Sequence, residues 1–325
     1  MTRPGGGPSL PISGPFGVRL EGVRAVDARV RSVLGPRVVI PVGVAIILVA
    51  ALLTAVPLRT SGPAFDHAYL IVLENHGSDQ IIGNVADAPF INRLASGYGL
   101  ATSYEAVAHP STPDYFTLVA GSTFGISDDG QHDLSAPSLF DQLEAHGRSW
   151  HVYAQDYPGG CFTGMSAKGG PDLGPAGEYV RRHDPAISFT SISRDPKRCA
   201  NITSMSSFDP TAADFEMIVP NDTNNMHDGT IRQADDWLAS IVPRIMAAPD
   251  FAHSVLFITW DEGDGNEGGG GKVPMIVVRP GLGPGFHSPA LHTHRAFLRT
   301  IEDAWGLGCL AGACQAAPLS EFFGH

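Results

Sequence analysis

Two polar pairs stand directly after short apolar runs in this 325-residue chain. Glu74 and Asn75 follow AYLIVL, and Asp261 and Glu262 follow SVLFITW. Three carboxylates and an amide oxygen repel one another when brought together, unless a cation lies between them. Such oxygen ligands suit Mg, Ca or Mn and can also bind Zn or Fe. We therefore predict a divalent metal site, with isolated loop or capping acids as the alternative.

The segment HPSTPDY offers a nucleophile, Ser111, just before a predicted helix with Thr112 as N-cap and Pro113 as its first residue. Free backbone N–H groups and the helix dipole favour an anion at such a place. A serine there can attack phosphorus when a metal stabilises its alkoxide. An N-capping serine or threonine beside a turn-forming proline is the alternative.

Histidines form a further group of candidates. His109 lies in HPSTPDY, His183 in RRHDP, His227 and Asp228 in NNMHDG, and His294 in HTHRAFLRT. Histidine is the usual ligand or proton donor near neutral pH. For each of them taken singly, a surface or capping role is the alternative.

Strand and helix patterns alternate from His67 onward and must position these residues. Buried strands are predicted at 68–73, 254–260 and 273–278, and a further strand at 150–153. Helices are predicted at 88–95, 113–120, 138–145, 229–248 and 294–305. Residues 157–215 are predicted to be irregular. The alternation predicts an α/β fold, with a mainly parallel central sheet and helices on both faces. Sites in such sheets form at the carboxyl ends of the strands, where both polar pairs stand.

The charge of the chain excludes one class of function. A formal charge of -12 disfavours nucleic-acid binding, which usually needs a basic patch. Because an acidic surface repels phosphate at long range, any phosphate chemistry must be driven locally by a metal or by histidines.

Residues 38–58 are an apolar run long enough to span a membrane, and four arginines between 24 and 37 precede it. This bias predicts a disordered cytoplasmic tail at 1–37, a transmembrane signal anchor at 38–58 and an extracytoplasmic catalytic domain at 60–325. A cleaved signal peptide, which would give a secreted enzyme, is the alternative.

Four cysteines in loops suggest two disulfides and an oxidising compartment, with free buried thiols as the alternative. Cys309 and Cys314 enclose only a short flexible stretch. We therefore expect a Cys309–Cys314 bond, which leaves Cys161 to pair with Cys199.

Seven segments in order resemble the bacterial and fungal phosphoesterase family of acid phosphatases and phospholipases C, in the alkaline phosphatase superfamily. They are IVLENHGSDQIIGN (71–84), HPSTPDYFTLVAGS (109–122), SLFDQLEAHGRSWHVYAQD (138–156), YVRRHDPA (179–186), VPNDTNNMHDGTI (219–231), ITWDEGDG (258–265) and HRAFLRTIEDAWGL (294–307). Each is weakly specific alone, but together they cover nearly all of residues 67–307.

The resemblance implies a role for each matched residue. It implies metal ligation by Glu74, Asn75, Ser111, Asp261 and Glu262, with Ser111 also as the nucleophile.

Five more residues match polar positions around the phosphate or a second metal. We expect His227 and His294 to take part in catalysis and His109, His183 and Asp228 to bind substrate.

Some residues depart from the family pattern. Asn225 stands where relatives often have Asp, Arg295 and Ala296 replace small polar residues, and His76 follows the Glu-Asn pair. These departures weaken the prediction of a complete second metal site and disfavour phospholipase C.

The sequence therefore predicts a metal-dependent hydrolase of small phosphoric esters that works through a phosphoserine intermediate. An acid-phosphatase-like phosphomonoesterase is favoured. A phospholipase C or phosphodiesterase acting on lipid headgroups is the first alternative, and a non-catalytic anchored binding ectodomain is the second. No protein partner is predicted.

Overall fold

The computed structural model describes residues 64–264 and 268–324. The strands within them are β1 (His67–Leu73), β2 (Gly99–Glu105), β3 (Trp150–Ala154), β4 (Ser166–Gly170), β5 (Gly174–Val180), β6 (Ile202–Thr203), β7 (Phe215–Val219), β8 (Ser254–Trp260), β9 (Met275–Val278) and β10 (Phe286–Thr293). Strands β4 and β5 form an antiparallel hairpin. The other eight form one sheet in the order β10-β2-β9-β8-β1-β7-β3-β6.

Neighbouring strands of the large sheet are parallel except around β9, which is antiparallel to both β2 and β8. The central strands β1 and β8 are buried along almost their whole length. A strand buried on both faces needs a layer on each side of the sheet. The predicted α/β fold with a mainly parallel sheet is therefore confirmed.

The helices are α1 (Ser78–Ile81), α2 (Pro89–Gly97), α3 (Ser111–Ala120), α4 (Leu139–Ala145), α5 (Thr190–Ser193), α6 (Pro196–Cys199), α7 (Ile231–Met246) and α8 (His294–Trp305). Helix α2 packs against α7, while α3 packs against α4 and α8. A capping box between Thr230 and Gln233 begins α7, and Gly306 at φ 65° ends α8. These ends follow from local sequence. The Thr230 and Gln233 side chains satisfy free backbone N–H groups, and glycine adopts the left-handed conformation at φ 65° without steric cost.

Several elements differ from the prediction. Residues 157–215 are not irregular, since they contain the β4–β5 hairpin and β6. Strands β2 and β10 were not predicted because their sequences, GLATSYE and FHSPALHT, are short of apolar residues. Strand β10 also carries Pro289 and a register shift, both typical of an edge strand.

Helix α3 begins two residues earlier than predicted. Pro110 is the extended N-cap residue, and Ser111 is the first helical residue. Thr112 is therefore not the N-cap. Its backbone N–H and its hydroxyl both donate to Asp129 Oδ1, at 3.0 and 2.9 Å. Ser111 thus belongs to the first turn of the helix.

The structure bonds Cys161 to Cys199 and Cys309 to Cys314, the pairing expected from the sequence, with Cα separations of 5.5 and 5.2 Å. The first bond closes a segment that carries the β4–β5 hairpin and His183.

No helix of the described residues is long and apolar enough to cross a membrane. The predicted tail at 1–37 and anchor at 38–58 lie outside the described residues, so both remain predictions.

Candidate active site

Parallel register brings the two predicted polar pairs together at the carboxyl edge of the sheet. Leu73 of β1 lies opposite Trp260 of β8, so Glu74 and Asp261 leave the sheet side by side. The Asp261 N–H donates to the Leu73 carbonyl at 3.0 Å. The Asn75 N–H in turn donates to Asp261 Oδ1 at 3.1 Å. Backbone pairing between β1 and β8 therefore brings the two predicted polar pairs together.

Ser111 lies between carboxylates from both strand ends. Its Oγ is 3.1 Å from Glu74 Oε2 and 3.3 Å from Glu262 Oε1, and the residue is only 2% exposed. Either carboxylate can accept the hydroxyl proton. Thr112, the neighbouring hydroxyl, is engaged by Asp129 instead. Ser111 is therefore the serine that this geometry offers for nucleophilic chemistry.

The three acids crowd one another in a buried setting. Burial, and then the charge of Asp261, raises the pKa of Glu74 well above its usual range. Burial and the charge of Glu262 raise the pKa of Asp261 to about 7. Burial also raises the pKa of Glu262. Within the described residues, Asp261 Oδ2 is buried with no hydrogen-bond partner.

This arrangement fits a divalent cation. A hard cation relieves repulsion among buried carboxylates and takes up an unpartnered oxygen. The side chains that could hold it are the predicted set, Glu74, Asn75, Ser111, Asp261 and Glu262.

Tyr115 and His183 lie beside Glu74 at the carboxylate oxygen that Ser111 does not contact. The Tyr115 hydroxyl donates to Glu74 Oε1 at 2.6 Å, and His183 Nε2 lies 3.1 Å from the same oxygen. The Tyr115 and His183 rings stack with centroids 5.4 Å apart. Burial lowers the pKa of His183 to about 4, so its ring is neutral near pH 7. His183 thus lies beside Glu74 and is buried, and its role in substrate binding stays a prediction.

His294 is buried behind Asp261. Its Nε2 lies 2.5 Å from the Asp261 carbonyl, which can only accept, so Nε2 carries the hydrogen. Its Nδ1 accepts from the Tyr104 hydroxyl at 3.2 Å. Burial lowers the pKa of His294 to about 4. Since both ring nitrogens are engaged, this geometry favours positioning of Asp261 over the proton transfer expected from the sequence.

Asp114 connects this region to helix α3, which carries Ser111. Its Oδ1 accepts the Val107 N–H at 2.8 Å and lies 3.6 Å from His294 Nε2. Burial raises the pKa of Asp114 to about 9, so the side chain is neutral near pH 7. Asp114 therefore ties α3 both to the segment that leads to His109 and to the start of α8.

His109 is at the more open side of the site. Its Nδ1 hydrogen-bonds Glu262 Oε2, and its side chain is 27% exposed. Gly270, at φ +88°, packs directly on the Ala108 carbonyl, where a Cβ would clash. A side chain at Gly270 would thus displace the segment that carries His109.

His227 and Asp228 lie in a second group rather than around Ser111. In the part of the chain that the structure describes, the Asp222, His227 and Asp228 side chains place ligand atoms within 4.8 Å of one another. We call these three residues the Asp222 cluster. Asp222 Oδ1 lies 3.1 Å from His183 Nδ1, which joins this cluster to Glu74.

Five contributors to the site were missed by sequence reasoning: Tyr104, Asp114, Tyr115, Arg182 and Asp222. Asp114 and Tyr115 lie in the same motif as Ser111, and Arg182 precedes His183. Position within a matched segment was the available signal for all of them except Tyr104, which lies outside the seven segments. Their contacts cross long stretches of chain and were not predictable from spacing.

Comparisons with known proteins show which family the chain is similar to. A sequence model described as the Phosphoesterase family matches residues 84–308, which include Ser111 and Asp261 but not Glu74. A phosphatidylinositol-3-phosphatase of Mycobacterium tuberculosis is 30% identical over 311 residues, covering 94% of this chain and 99% of the relative. A probable acid phosphatase of Kluyveromyces lactis is 30% identical over 259 residues, covering 76% of this chain and 59% of the relative.

One solved structure shows the fold alone. The phosphonate monoester hydrolase of Agrobacterium radiobacter aligns with a TM-score of 0.51 at 13% identity, covering 79% of this chain and 77% of that one.

Proposed function

Since this chain belongs to the Phosphoesterase family and is a phosphoric ester hydrolase, we propose that it is a metal-dependent, acid-phosphatase-like phosphomonoesterase with Ser111 as nucleophile. The observation that carries the proposal is the position of Ser111 Oγ, 3.1 Å from Glu74 Oε2 and 3.3 Å from Glu262 Oε1. Membership in this family of phosphoric ester hydrolases favours an enzyme over a non-catalytic binding ectodomain.

In the proposed reaction, Ser111 Oγ forms a bond to phosphorus while the bond to the ester oxygen breaks. Glu262, whose Oε1 lies 3.3 Å from Ser111 Oγ, accepts the serine proton. A divalent ion held by the five predicted ligands would lower the pKa of the serine hydroxyl and neutralise phosphoryl charge. Positioning and electrostatic stabilisation are the main protein contributions to phosphoryl transfer.

The departing alkoxide needs a proton. His109 and His227 have side chains 27% and 31% exposed, whereas His183 and His294 are buried. We therefore propose His109 as the candidate donor, because Asp228 and Arg182 already engage both ring nitrogens of His227. Water then attacks the phosphoserine and returns the serine by the reverse path.

A trapping experiment tests the nucleophile. Ser111→Ala should abolish hydrolysis of a chromogenic aryl phosphate while the circular dichroism spectrum is unchanged. Acid quenching of the wild type during turnover should give phosphate on the peptide that contains Ser111. Thr112→Val is the matched control and should keep activity within about threefold, because that hydroxyl contacts only Asp129. Phosphate mapped to Thr112, or an active Ser111→Ala protein, would reject the assignment.

A second experiment tests the metal. Chelation should remove activity, and adding back Mg, Ca, Mn, Zn or Fe in turn should identify the ion that restores it. Asp261→Asn and Glu74→Gln should each weaken metal binding and activity by roughly two orders of magnitude or more, because each removes an anionic ligand. Full activity of the chelated protein would contradict the proposed metal dependence.

The substrate class rests on the relatives. The mycobacterial relative, nearly all of which is matched, is named for a phosphoinositide monoester, and the yeast relative for acid phosphatase activity. We therefore propose phosphomonoesters as substrates, including phosphorylated inositol lipids. Vesicles containing phosphatidylinositol 3-phosphate, a soluble aryl phosphate and a choline phosphodiester should be compared. Preference for the diester would favour the phospholipase C alternative.

We also propose that the catalytic domain works outside the cytoplasm, tethered by residues 38–58 or secreted after cleavage. The two disulfides support an oxidising compartment. Reporter fusions after residue 60 that are active only in the cytoplasm would oppose it.

A further inference from the structure

Arg182 lies against the Asp222 cluster. Its Nη2 is 3.2 Å from His227 Nε2 and 3.4 Å from Asp222 Oδ2. Both atoms belong to residues that could hold a metal ion in this cluster. A cationic side chain thus already contacts the group of ligands.

The protons of the cluster can be assigned from its partners. Asp228 Oδ1 lies 2.7 Å from His227 Nδ1, so Nδ1 carries the hydrogen that this carboxylate accepts. The lone pair of His227 Nε2 is then free to accept from Arg182, whose guanidinium has donors only. A metal ion would need the same lone pair. Arg182 and a metal ion would therefore compete for the lone pair of His227 Nε2.

Asn225 makes the cluster less attractive to a metal. Its Nδ2 donates to Asp222 Oδ1 at 3.3 Å, and its Oδ1 accepts the His227 N–H at 2.8 Å. This fully buried residue adds no negative charge. The cluster thus has two carboxylates with the Arg182 guanidinium beside them, instead of the higher negative charge that favours a hard cation.

The cluster is connected to the nucleophile by side-chain contacts. Asp222 Oδ1 meets His183 Nδ1 at 3.1 Å, and His183 Nε2 meets Glu74 Oε1 at 3.1 Å. Glu74 Oε2 then meets Ser111 Oγ at 3.1 Å. A positive charge on Arg182 therefore acts on the same network that holds the serine.

We propose that the Arg182 guanidinium is the resident cation of the Asp222 cluster and excludes a second metal ion, so that the chain combines one metal site with a side-chain cation. The inference rests on the proposed function for the metal at Glu74 and Asp261. Arg182 is on this view a positioning residue, which sets the charge and geometry of Asp222 and His183.

Metal counting on the full chain tests the proposal. Mn²⁺ bound per chain is measured by equilibrium dialysis and calorimetry for the wild type, Arg182→Gln and Arg182→Lys. Arg182→Gln should bind about one equivalent more than the wild type, and Arg182→Lys, which keeps the cation, should bind no more than the wild type. kcat/KM for an aryl phosphate should fall roughly tenfold or more in Arg182→Gln and be largely retained in Arg182→Lys.

Second variants show where the extra ion binds. Adding Asp228→Asn to Arg182→Gln should remove the gained equivalent, while Asp228→Asn alone should leave the wild-type count unchanged. Arg198→Gln is the matched control, because Arg198 is also a partly buried arginine paired with acids, at 16% exposure against 19% for Arg182. It should gain no metal.

Two results would overturn the inference. The first is an unchanged metal count in folded Arg182→Gln. The second is a loss of metal on Asp228→Asn in the wild-type background, which needs no Arg182 variant to fold. Loss of all metal in Asp261→Asn, or no metal in the wild type, bears on the proposed function instead, since the inference depends only on the difference between Arg182 variants.

Discussion

Tyr115 donates a 2.6 Å hydrogen bond from its hydroxyl to Glu74 Oε1, while Ser111, one helical turn earlier, contacts Glu74 Oε2. A single helix therefore holds both oxygens of a carboxylate that lies at the end of β1. Because this carboxylate is fully buried, its orientation is set by these two hydrogen bonds.

Removing the Tyr115 hydroxyl should loosen Glu74. Tyr115→Phe is expected to lower the unfolding free energy by about 1–2 kcal/mol, because a buried oxygen loses its donor. Metal affinity and kcat should both fall, roughly tenfold. Urea denaturation and metal titration check this. Tyr153→Phe is the control, since the buried Tyr153 hydroxyl contacts Asp209 instead. It should lose similar stability but no activity, and equal activity losses in both variants would contradict the assignment.

Asp114 is expected to act as a neutral group. Asp114→Asn keeps an acceptor for the Val107 N–H and should retain most stability and activity. Asp114→Ala removes that acceptor and leaves a small cavity, so the unfolding free energy should fall by about 2–3 kcal/mol and kcat should drop. Chemical denaturation and steady-state kinetics compare the two variants. An Asn variant as impaired as the Ala variant would show that the charge of Asp114 is needed.

The pH dependence of stability should involve Glu216, near the opposite end of β7 from the site. Burial raises the pKa of Glu216 to about 8 from an ordinary value of 4.5. The folded state then keeps a proton that the unfolded state has lost, so this contribution to stability is full below 4.5 and falls as the pH rises to about 8.

This prediction is best measured between pH 6.5 and 8. The buried His183 and His294, with pKa lowered to about 4, act in the opposite direction, but chiefly below their ordinary value of 6.5. Glu216→Gln should reduce the loss of unfolding free energy across this window by up to about 2 kcal/mol. Other buried acids with a raised pKa, such as Asp184, account for the part of the decrease in unfolding free energy with pH that remains in the variant. An identical slope in the variant would show that Glu216 is not protonated in the folded state.

Removal of the Cys161–Cys199 disulfide should affect both stability and the site. Its sequence separation of 38 residues corresponds to a loss of about 4 kcal/mol of unfolding free energy. The closed segment carries Arg182 and His183, so KM should rise before the sheet unfolds.

Thermal unfolding and kinetics of the double alanine variant check the disulfide prediction. The Cys309–Cys314 pair, separated by only 5 residues, is the control and should cost about 2 kcal/mol with KM unchanged. A KM unaffected by loss of the Cys161–Cys199 bond would show that this disulfide does not hold the site residues in position.

The sequence was sufficient for the features that depend on neighbouring residues. Strand β8 and helix α8 have the predicted bounds, because an apolar run and an amphipathic period each encode one local element. Glu74 and Asp261 could be placed at strand ends, and parallel strands bring such ends to one edge. The family could be recognised because seven short segments occur in order.

Elements with weak local patterns were not predictable. Strand β7 contains the buried Glu216, and β10 is an edge strand with a proline, so neither has a plain alternation of apolar and polar residues. The start of α3 shifted to Ser111 because Asp129, a residue from a later loop, takes up the Thr112 N–H and hydroxyl.

The residue types and strand ends in the sequence thus determined an α/β phosphoesterase with a buried serine beside a group of carboxylates. Only the tertiary structure decided which contacts each of those residues makes. It placed Tyr115 and His183 on Glu74, engaged both nitrogens of His294, and set Arg182 into the Asp222 cluster. The physical reason is that hydrogen-bond partners and burial, which fix protonation and orientation, come from segments far apart in the chain.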